Sequence, residues 1–173
     1  MAKLRSQLRA VLGSRPIMKR IAAEITIEAS AAEVWKVITD FDRYPEWNRF
    51  TPRITLPTSE LRSGAELDLD CRMSARELLR DEHEVILAVD HDRLALCMGT
   101  SRTRGRPGIT SERWQICEPC GPARARFVNW EQFRGALSPL VYLLYAAKLQ
   151  KAFAAYCRDL ATRVAVVRGQ PAS

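Results

Sequence analysis

The spacing of apolar residues indicates how the chain begins. From Lys19 to Glu28 every second residue is apolar or small, which predicts a β-strand with one buried face. Ser30 and Glu33 form a capping-box pattern that opens a helix from Ala31 to about Asp40. Pro45 suits the first turn of a second helix and prevents a long continuation. We therefore expect one strand followed by two short helices.

Residues 51–134 carry strand patterns with few helical ones. The stretch AELDLDCRM alternates apolar and polar residues, and ELLRDEHEVILAV with RLALCM forms a pair joined by the turn DHD. The stretches TSERWQIC and ARARFVNWEQF predict a hairpin around EPCGP. About six antiparallel strands are expected here, interrupted by a basic Gly/Pro loop, GTSRTRGRPG.

Residues 138–167 repeat apolar positions every three or four residues, which predicts one long amphipathic helix of about 45 Å. The order of elements indicates an α+β fold. A strongly curved sheet around one long helix cannot close tightly along its whole length, so we expect an apolar cavity between them. We predict an N-terminal arm at 1–18, one domain at 19–168 and a tail at 169–173.

The positive charge is concentrated in the arm. The net charge is +7, yet residues 1–20 contain six bases and no acid, and the rest of the chain holds 21 bases and 20 acids. A nearly neutral body argues against nucleic-acid binding. Leu4, Leu8, Val11 and Leu12 share one helical face. Residues 1–16 could therefore lie on an anionic membrane surface, or form a helix that is frayed or packed on the domain.

Two further features limit the class of protein. No run reaches the roughly 18 apolar residues of a membrane span, and the first residues lack the apolar core of a secretory signal. We therefore expect a cytoplasmic protein with reduced thiols. Cys117 and Cys120 form a C-x-x-C pair, but no second pair accompanies it. We accordingly expect no metal site.

Three quoted stretches are similar to a known family. ITIEAS, then AAEVWKVITDFDRYPEWNRF, then a strand opened by LRSGAEL resembles the START-like superfamily, also called SRPBCC. This superfamily includes polyketide cyclase/dehydrase-like and lipid-transport proteins. The end of the chain, NWEQFRGALSPLVYLLYAAKLQKAF, resembles its last strand, Glu-x-Phe-x-Gly ending and closing helix.

The resemblance implies a helix-grip fold. About seven antiparallel strands would wrap a long C-terminal helix, with two short helices after the first strand and an internal hydrophobic cavity. It further implies a small hydrophobic ligand, such as a lipid, polyketide or quinone, and no cofactor. Function stays open, because this fold hosts both binding proteins and enzymes. The alternatives are transport or sequestration of the ligand, and aldol cyclisation or dehydration by a cyclase/aromatase-like enzyme.

Strand parity selects the candidate catalytic residue. If Phe127 and Phe133 point to the helix, Glu131 points there too. A carboxylate in an apolar hollow has a raised pKa and can act as a general acid or base. The structural alternative is an ion pair with Arg72 or Arg113. Tyr142 and Tyr145 on the closing helix could offer their hydroxyls to a ligand's oxygens, or be core tyrosines with one bonded hydroxyl, and Tyr142 is the tyrosine selected to act with Glu131 if the protein is an enzyme.

The predicted ligand-binding residues come from the strand faces, the closing helix and the aromatic stretch before the second strand. His83 and His91 are expected at the surface, and the loop arginines 102, 104 and 106 near the mouth or in solvent. Besides Glu131 and Tyr142, the predicted site comprises Trp47, Phe50, Leu69, Cys71, Trp114, Asn129, Phe133, Val141 and Tyr145.

Overall fold

A computed structural model describes residues 20–58, 60–101 and 103–169. One antiparallel sheet contains seven strands in the order β1-β7-β6-β5-β4-β3-β2. The strands are β1 (Ile21–Ile27), β2 (Arg53–Thr55), β3 (Glu66–Ser74), β4 (Glu77–Asp90), β5 (Ala95–Thr100), β6 (Thr110–Gly121) and β7 (Arg124–Arg134). The helices are α1 (Ala31–Thr39), α2 (Tyr44–Trp47), which follows a 3-10 turn at Phe41–Arg43, and α3 (Ser138–Val167).

Helix α1 begins where the capping box predicts. The Glu33 N–H donates to the Ser30 hydroxyl at 3.3 Å, and the Ser30 N–H donates to the Glu33 carboxylate at 2.8 Å. These bonds satisfy backbone donors that the first helical turn leaves without partners. The apolar side of α1, with Val34 and Ile38 fully buried, faces β6 and β7. This helix therefore covers one end of the sheet.

The long helix α3 is gripped by the sheet along only part of its length. Its main sheet contacts are with β1, β7 and β3, so the curved sheet reaches it from both sides. All of its buried residues lie between Leu149 and Val164. The first third of α3, residues 138–148, has no fully buried residue, although Tyr142, Tyr145 and Ala146 are partly buried against the core, and it lies above the inner face of the central strands.

Two of the β-bulges in the sheet affect which side chains near the cavity face inward. The register between β6 and β7 shifts between Pro119 and Gly121, and that between β3 and β4 shifts between Leu69 and Cys71. A shift of one residue moves every following side chain to the other face. The second bulge interrupts the clean alternation predicted for β3, and Asp70 is buried there, bonded to Arg53 at 2.7 Å.

The predicted fold class is confirmed: a curved seven-stranded sheet holds a C-terminal helix, with short helices after the first strand. The predicted arm at 1–18 and almost all of the tail at 169–173 lie outside the described residues. Within the described part of the chain, no helix is long and apolar enough to cross a bilayer.

Gly135 connects β7 to α3 in a conformation that other residues rarely adopt. Its φ is +105°, and a Cβ added there would lie 2.5 Å from the Gly108 carbonyl oxygen. The same oxygen accepts a hydrogen bond from the Leu137 N–H at 3.1 Å. The loop before β6 and the start of α3 are thus held together through a backbone contact that needs glycine.

We expect Gly135→Ala to lower the free energy of unfolding by more than Gly64→Ala does. Both glycines have positive φ, but a Cβ at Gly64 meets nothing within 4 Å. Gly64→Ala, the control, should therefore lower the free energy of unfolding only by the backbone strain, about 1 kcal/mol. Gly135→Ala should lower it by the same strain and by the steric contact in addition. Urea unfolding measures both. Equal losses would show that the contact with Gly108 contributes nothing.

Candidate ligand-binding site

A cavity of about 380 Å³ lies between the first third of α3 and the inner face of the central strands. Its size falls within the range of small-molecule sites in proteins. Its apolar wall comes from Phe50, from strands β3, β4 and β7, and from α3 with the segment just before it. The apolar lining residues are Phe50, Cys71, Met73, Leu79, Ile109, Phe133, Leu137, Leu140, Val141, Leu144, Tyr145 and Leu149.

Three charged side chains form the floor of this cavity: Arg113 on β6, Glu131 on β7 and Glu84 on β4. Arg113 lies directly opposite Glu131 in the β6–β7 register. Residues opposite each other on neighbouring strands share a face, so both point to the helix side. Arg113 is 3% exposed and Glu131 7%. The floor therefore carries charge in a place that water scarcely reaches.

The buried guanidinium of Arg113 makes no direct hydrogen bond or ion pair among the described residues, although, against the effect of burial, the nearby charges of Glu84 and Glu131 raise its pKa. Its Nε has no hydrogen-bond partner, and no carboxylate of the described residues lies within ion-pairing distance. Its guanidinium centre lies 5.3 Å from the centroid of the Phe50 ring. Burying a charge without direct partners costs several kcal/mol. Arg113 thus holds unused hydrogen-bond donors in the cavity.

Burial makes Glu131 unusually basic for a carboxylate. Removal from water raises its pKa from 4.5 to about 7, although Arg113 opposes the rise. Glu84 adds to the rise, and its own pKa is raised by burial too. The Glu84 Oε2 atom is buried and has no hydrogen-bond partner among the described residues. Near neutral pH, Glu131 can therefore take up or release a proton.

Six of the predicted site residues line the cavity. Glu131 and Phe133 reach it from β7, as strand parity predicts. The Cys71 thiol lies there as well, with a pKa that burial raises well above its usual range, so the thiol stays protonated and weakly nucleophilic. The complete set is Phe50, Cys71, Glu131, Phe133, Val141 and Tyr145.

Five predicted residues lie outside the cavity lining: Trp47, Leu69, Trp114, Asn129 and Tyr142. Trp47 stacks on Tyr156 with ring centroids 5.7 Å apart, and Leu69 is fully buried in the core. Asn129 is fully buried deeper in the sheet, and neither atom of its amide has a partner among the described residues. The Tyr142 hydroxyl accepts a hydrogen bond from the Phe133 N–H at 3.1 Å. Tyr142 therefore fastens the start of α3 to the end of β7.

The prediction that Trp114 forms a cavity wall is wrong. Trp114 lies on the outer face, where it stacks on Trp130 at 6.2 Å and its indole N–H donates to Glu112. The bulge at Pro119–Gly121 is the physical reason. Without it, the register at the turn would have placed residue 114, rather than Arg113, opposite Glu131.

The mouth of the cavity is lined by paired polar residues. His83 Nδ1 lies 2.5 Å from an Asp68 carboxylate oxygen, which Arg104 also contacts at 3.0 Å. Arg106 pairs with Glu82 at 2.6 Å. Arg104 and Arg106 therefore lie near the mouth, one of the two positions that the sequence left open for them. Arg102 lies outside the described residues.

Sequence reasoning missed two residues of the floor. Glu84 lies within the charged run RDEHEV, which resembles a solvent-exposed strand edge, and Arg113 was considered only as a partner for Glu131. Arg113 could have been found by counting cross-strand partners from the turn, had the bulge been known. Among the described residues, no group of three or more His, Cys, Asp or Glu side chains could hold a metal ion.

A curved sheet closed by a long helix over an apolar cavity with a charged floor defines a ligand-binding helix-grip protein. A family model described as "Polyketide cyclase / dehydrase and lipid transport" matches residues 18–165. The chain belongs to this family. A search of curated protein sequences found no match.

Solved structures share this fold at low sequence identity. The Zhui aromatase/cyclase from a Streptomyces species is 15% identical, with a TM-score of 0.69 over 89% of this chain and 99% of that one. Norcoclaurine synthase from Thalictrum flavum, solved in complex with dopamine and hydroxybenzaldehyde, is 15% identical, with a TM-score of 0.67 over 90% of each chain. A START superfamily protein from Mycobacterium smegmatis is 15% identical, with a TM-score of 0.64 over 86% of this chain and 98% of that one.

We expect the stability to fall between pH 5 and pH 8 because of Glu131. Its folded-state pKa of about 7 exceeds its ordinary 4.5. As the pH rises, the carboxyl group loses its proton in the unfolded chain before it does so in the folded protein. Between the two pKa values this ionisation favours the unfolded chain, so the free energy of unfolding falls until the pH passes the folded-state pKa. The loss is at most about 3 kcal/mol. Urea unfolding across this range measures it.

Glu131→Gln should remove much of this pH dependence, leaving the smaller slope due to Glu84. Glu60→Gln is the matched control, because the Glu60 side chain is 76% exposed. It should keep the slope of the unaltered protein. If Glu131→Gln kept that slope as well, the buried carboxyl would not be the group that titrates.

Proposed function

We propose that the cavity binds a small, mostly apolar molecule that carries an oxygen acceptor, for transport or sequestration. The observation that supports this most directly is the unpaired, buried guanidinium of Arg113 in an apolar cavity of about 380 Å³. A carbonyl, phenol or carboxyl oxygen of the ligand would accept hydrogen bonds from Arg113 and offset the cost of its burial. Quinones, polyketides and fatty acids all carry such an oxygen.

Shape and polarity support this ligand class. The walls contributed by Phe50, Phe133, Val141 and Tyr145 offer apolar and aromatic surface, and the charged floor lies at the inner side. An elongated apolar molecule would thus enter with its oxygenated end first. Cys71 beside the floor adds a neutral thiol that does not repel an apolar group.

Family membership supports the same proposal at the level of class. The matched family includes both lipid-transport proteins and cyclases, and norcoclaurine synthase was solved with two small aromatic molecules. Contact with a membrane is part of the transport version of this proposal. The six bases and no acids of residues 1–20 support peripheral attachment of residues 1–16 to an anionic surface.

Two related dyes test the role of Arg113. Anilinonaphthalene sulfonate carries an anionic oxygen group, whereas phenylnaphthylamine has a similar aromatic body without it. Arg113→Met, which keeps the apolar length of the side chain, should weaken binding of the sulfonate dye by about tenfold, the cost of one charge-assisted hydrogen bond. Binding of the neutral dye should stay unchanged or strengthen. Fluorescence titration measures both.

A control separates the cavity from surface binding of dye. Val141→Trp fills the cavity from α3 and should weaken the binding of both dyes. Val166→Trp, at the exposed far end of the same helix, should leave the binding of both dyes unchanged. Native mass spectrometry of the purified protein should further show a retained apolar molecule. If Val141→Trp bound both dyes as well as the unaltered protein, the cavity would not be the binding site.

A second candidate function is a cofactor-independent cyclase or dehydratase, and the raised pKa of Glu131 favours it. With a pKa near 7, Glu131 is suited to remove a proton from the carbon next to a ketone. The electron pair would move to the carbonyl oxygen, where Arg113 would hold the enolate oxygen. Attack of this enolate on a second ketone of the same chain closes the ring, and Glu131 returns its proton to the new alkoxide.

The enzyme version predicts a specific loss of rate. Glu131→Gln should lower kcat on a poly-ketone substrate by about a hundredfold or more, because the amide cannot accept the proton. Tyr142→Phe should act less strongly and through the position of α3, since its hydroxyl bonds the Phe133 backbone. Product formation followed by mass spectrometry measures both. Equal activity of Glu131→Gln and the unaltered protein would rule out this assignment and leave binding as the function.

A further inference from the structure

Four leucines at the start of α3 are exposed although they are large and apolar. We call Leu137, Leu140, Leu143 and Leu144 the leucine ridge. Their exposed fractions are 48%, 51%, 80% and 53%. Single exposed apolar residues are common on proteins, but a contiguous group marks a surface that contacts something apolar.

The leucine ridge is continuous with the cavity. Leu137, Leu140 and Leu144 also line it, so the same side chains form the rim of its mouth and part of the outer surface. Leu143 points away from the cavity lining. Ala147 and Lys151 extend the exposed stripe along α3. A stripe of leucines ending in a lysine is suited to lie in a lipid headgroup region, with the lysine reaching towards phosphates.

The basic N-terminal segment joins the domain on the same side. Ile21, the first residue of β1, pairs with Glu131 near the end of β7, and β7 leads within a few residues to the ridge. The Arg20 guanidinium lies 3.9 Å from the Trp130 ring centroid. The six bases of residues 1–20 therefore belong to a segment that starts at the mouth end of the sheet, and they are not balanced by acids in that segment.

We propose that the leucine ridge inserts into the surface of an anionic lipid bilayer, with the cavity mouth facing the lipid. The inference rests on the proposed function, because it supplies the route by which an apolar ligand reaches the cavity without crossing water. Hydrophobic contact by the leucines and attraction between the bases and lipid phosphates would act together. A second copy of the chain fits less well, because it would carry the same unbalanced positive charge and repel the first.

Vesicle co-sedimentation tests the proposal with one variant and a matched control. Leu143→Asp changes the most exposed leucine of the ridge, which does not line the cavity. Val167→Asp changes a residue that is 62% exposed at the opposite end of the same helix. With mixed phosphatidylcholine and phosphatidylglycerol vesicles, Leu143→Asp should weaken partitioning by roughly tenfold or more, the equivalent of one leucine returned to water. Val167→Asp should leave it unchanged.

The lipid composition of the vesicles and the salt concentration distinguish the hydrophobic contribution of the leucines from the electrostatic contribution of the bases. Vesicles of phosphatidylcholine alone should bind the unaltered protein less, and added salt should weaken binding to the anionic vesicles. Removal of residues 1–16 should reduce this salt dependence, whereas Leu143→Asp should reduce binding at every salt concentration. Unfolding by urea shows whether each variant is folded.

Three outcomes would overturn the proposal. The first is no partitioning of the unaltered protein, and the second is equal losses for Leu143→Asp and Val167→Asp. The third is a Leu143→Asp variant that binds vesicles normally but loses self-association in sedimentation, which would assign the ridge to a second copy. Phenylnaphthylamine binding keeps this test separate from the proposed function, because the dye reports on the cavity and the vesicles on the ridge. If only the membrane proposal is wrong, the protein still binds the dye. If the cavity is not a binding site, the unaltered protein does not bind the dye there.

Discussion

The unequal contact between α3 and the sheet determines most of what this protein can do. The stretch of α3 from Leu149 to Val164 is held between strands from both sides of the curved sheet and supplies the core. The first third, residues 138–148, spans the inner face of the central strands and fully buries none of its residues. Because a curved sheet cannot follow a straight helix along its whole length, the space beneath this first third remains as the cavity.

The charged floor shows that this cavity is not merely a packing defect. An empty space that only reflected poor packing would be lined by apolar side chains. Here Arg113 on β6, Glu131 on the adjacent β7 and Glu84 on β4, one strand beyond β5, line the same cavity, and among the described residues no ion pair neutralises Arg113 directly. Such an arrangement lowers stability in the absence of a ligand, which is the usual relation between a functional site and the fold that carries it.

The fold could be predicted from the sequence, but the site only in part. The changes of period at the Ser30 cap and near Ser138 define the elements, and parity correctly turns Glu131 and Phe133 inward. Trp114 shows the limit. One bulged residue in the β6–β7 hairpin exchanges the two faces of β6. The sequence of the hairpin turn does not show that such a bulge is present. Glu84 was missed because a buried acid and an exposed one look alike within a charged run.

The division of α3 has a consequence for how the protein can evolve. Substitutions at Phe153, Tyr156 or Leu160 change the core, so most of them are removed by loss of folding. Substitutions at Val141 or Leu144 change the cavity roof, where the side chains face the cavity and are not part of the packed core. A single helix thus carries one stretch that selection for folding keeps constant and another that is free to drift. Choice of ligand can therefore diverge between relatives while the architecture remains the same.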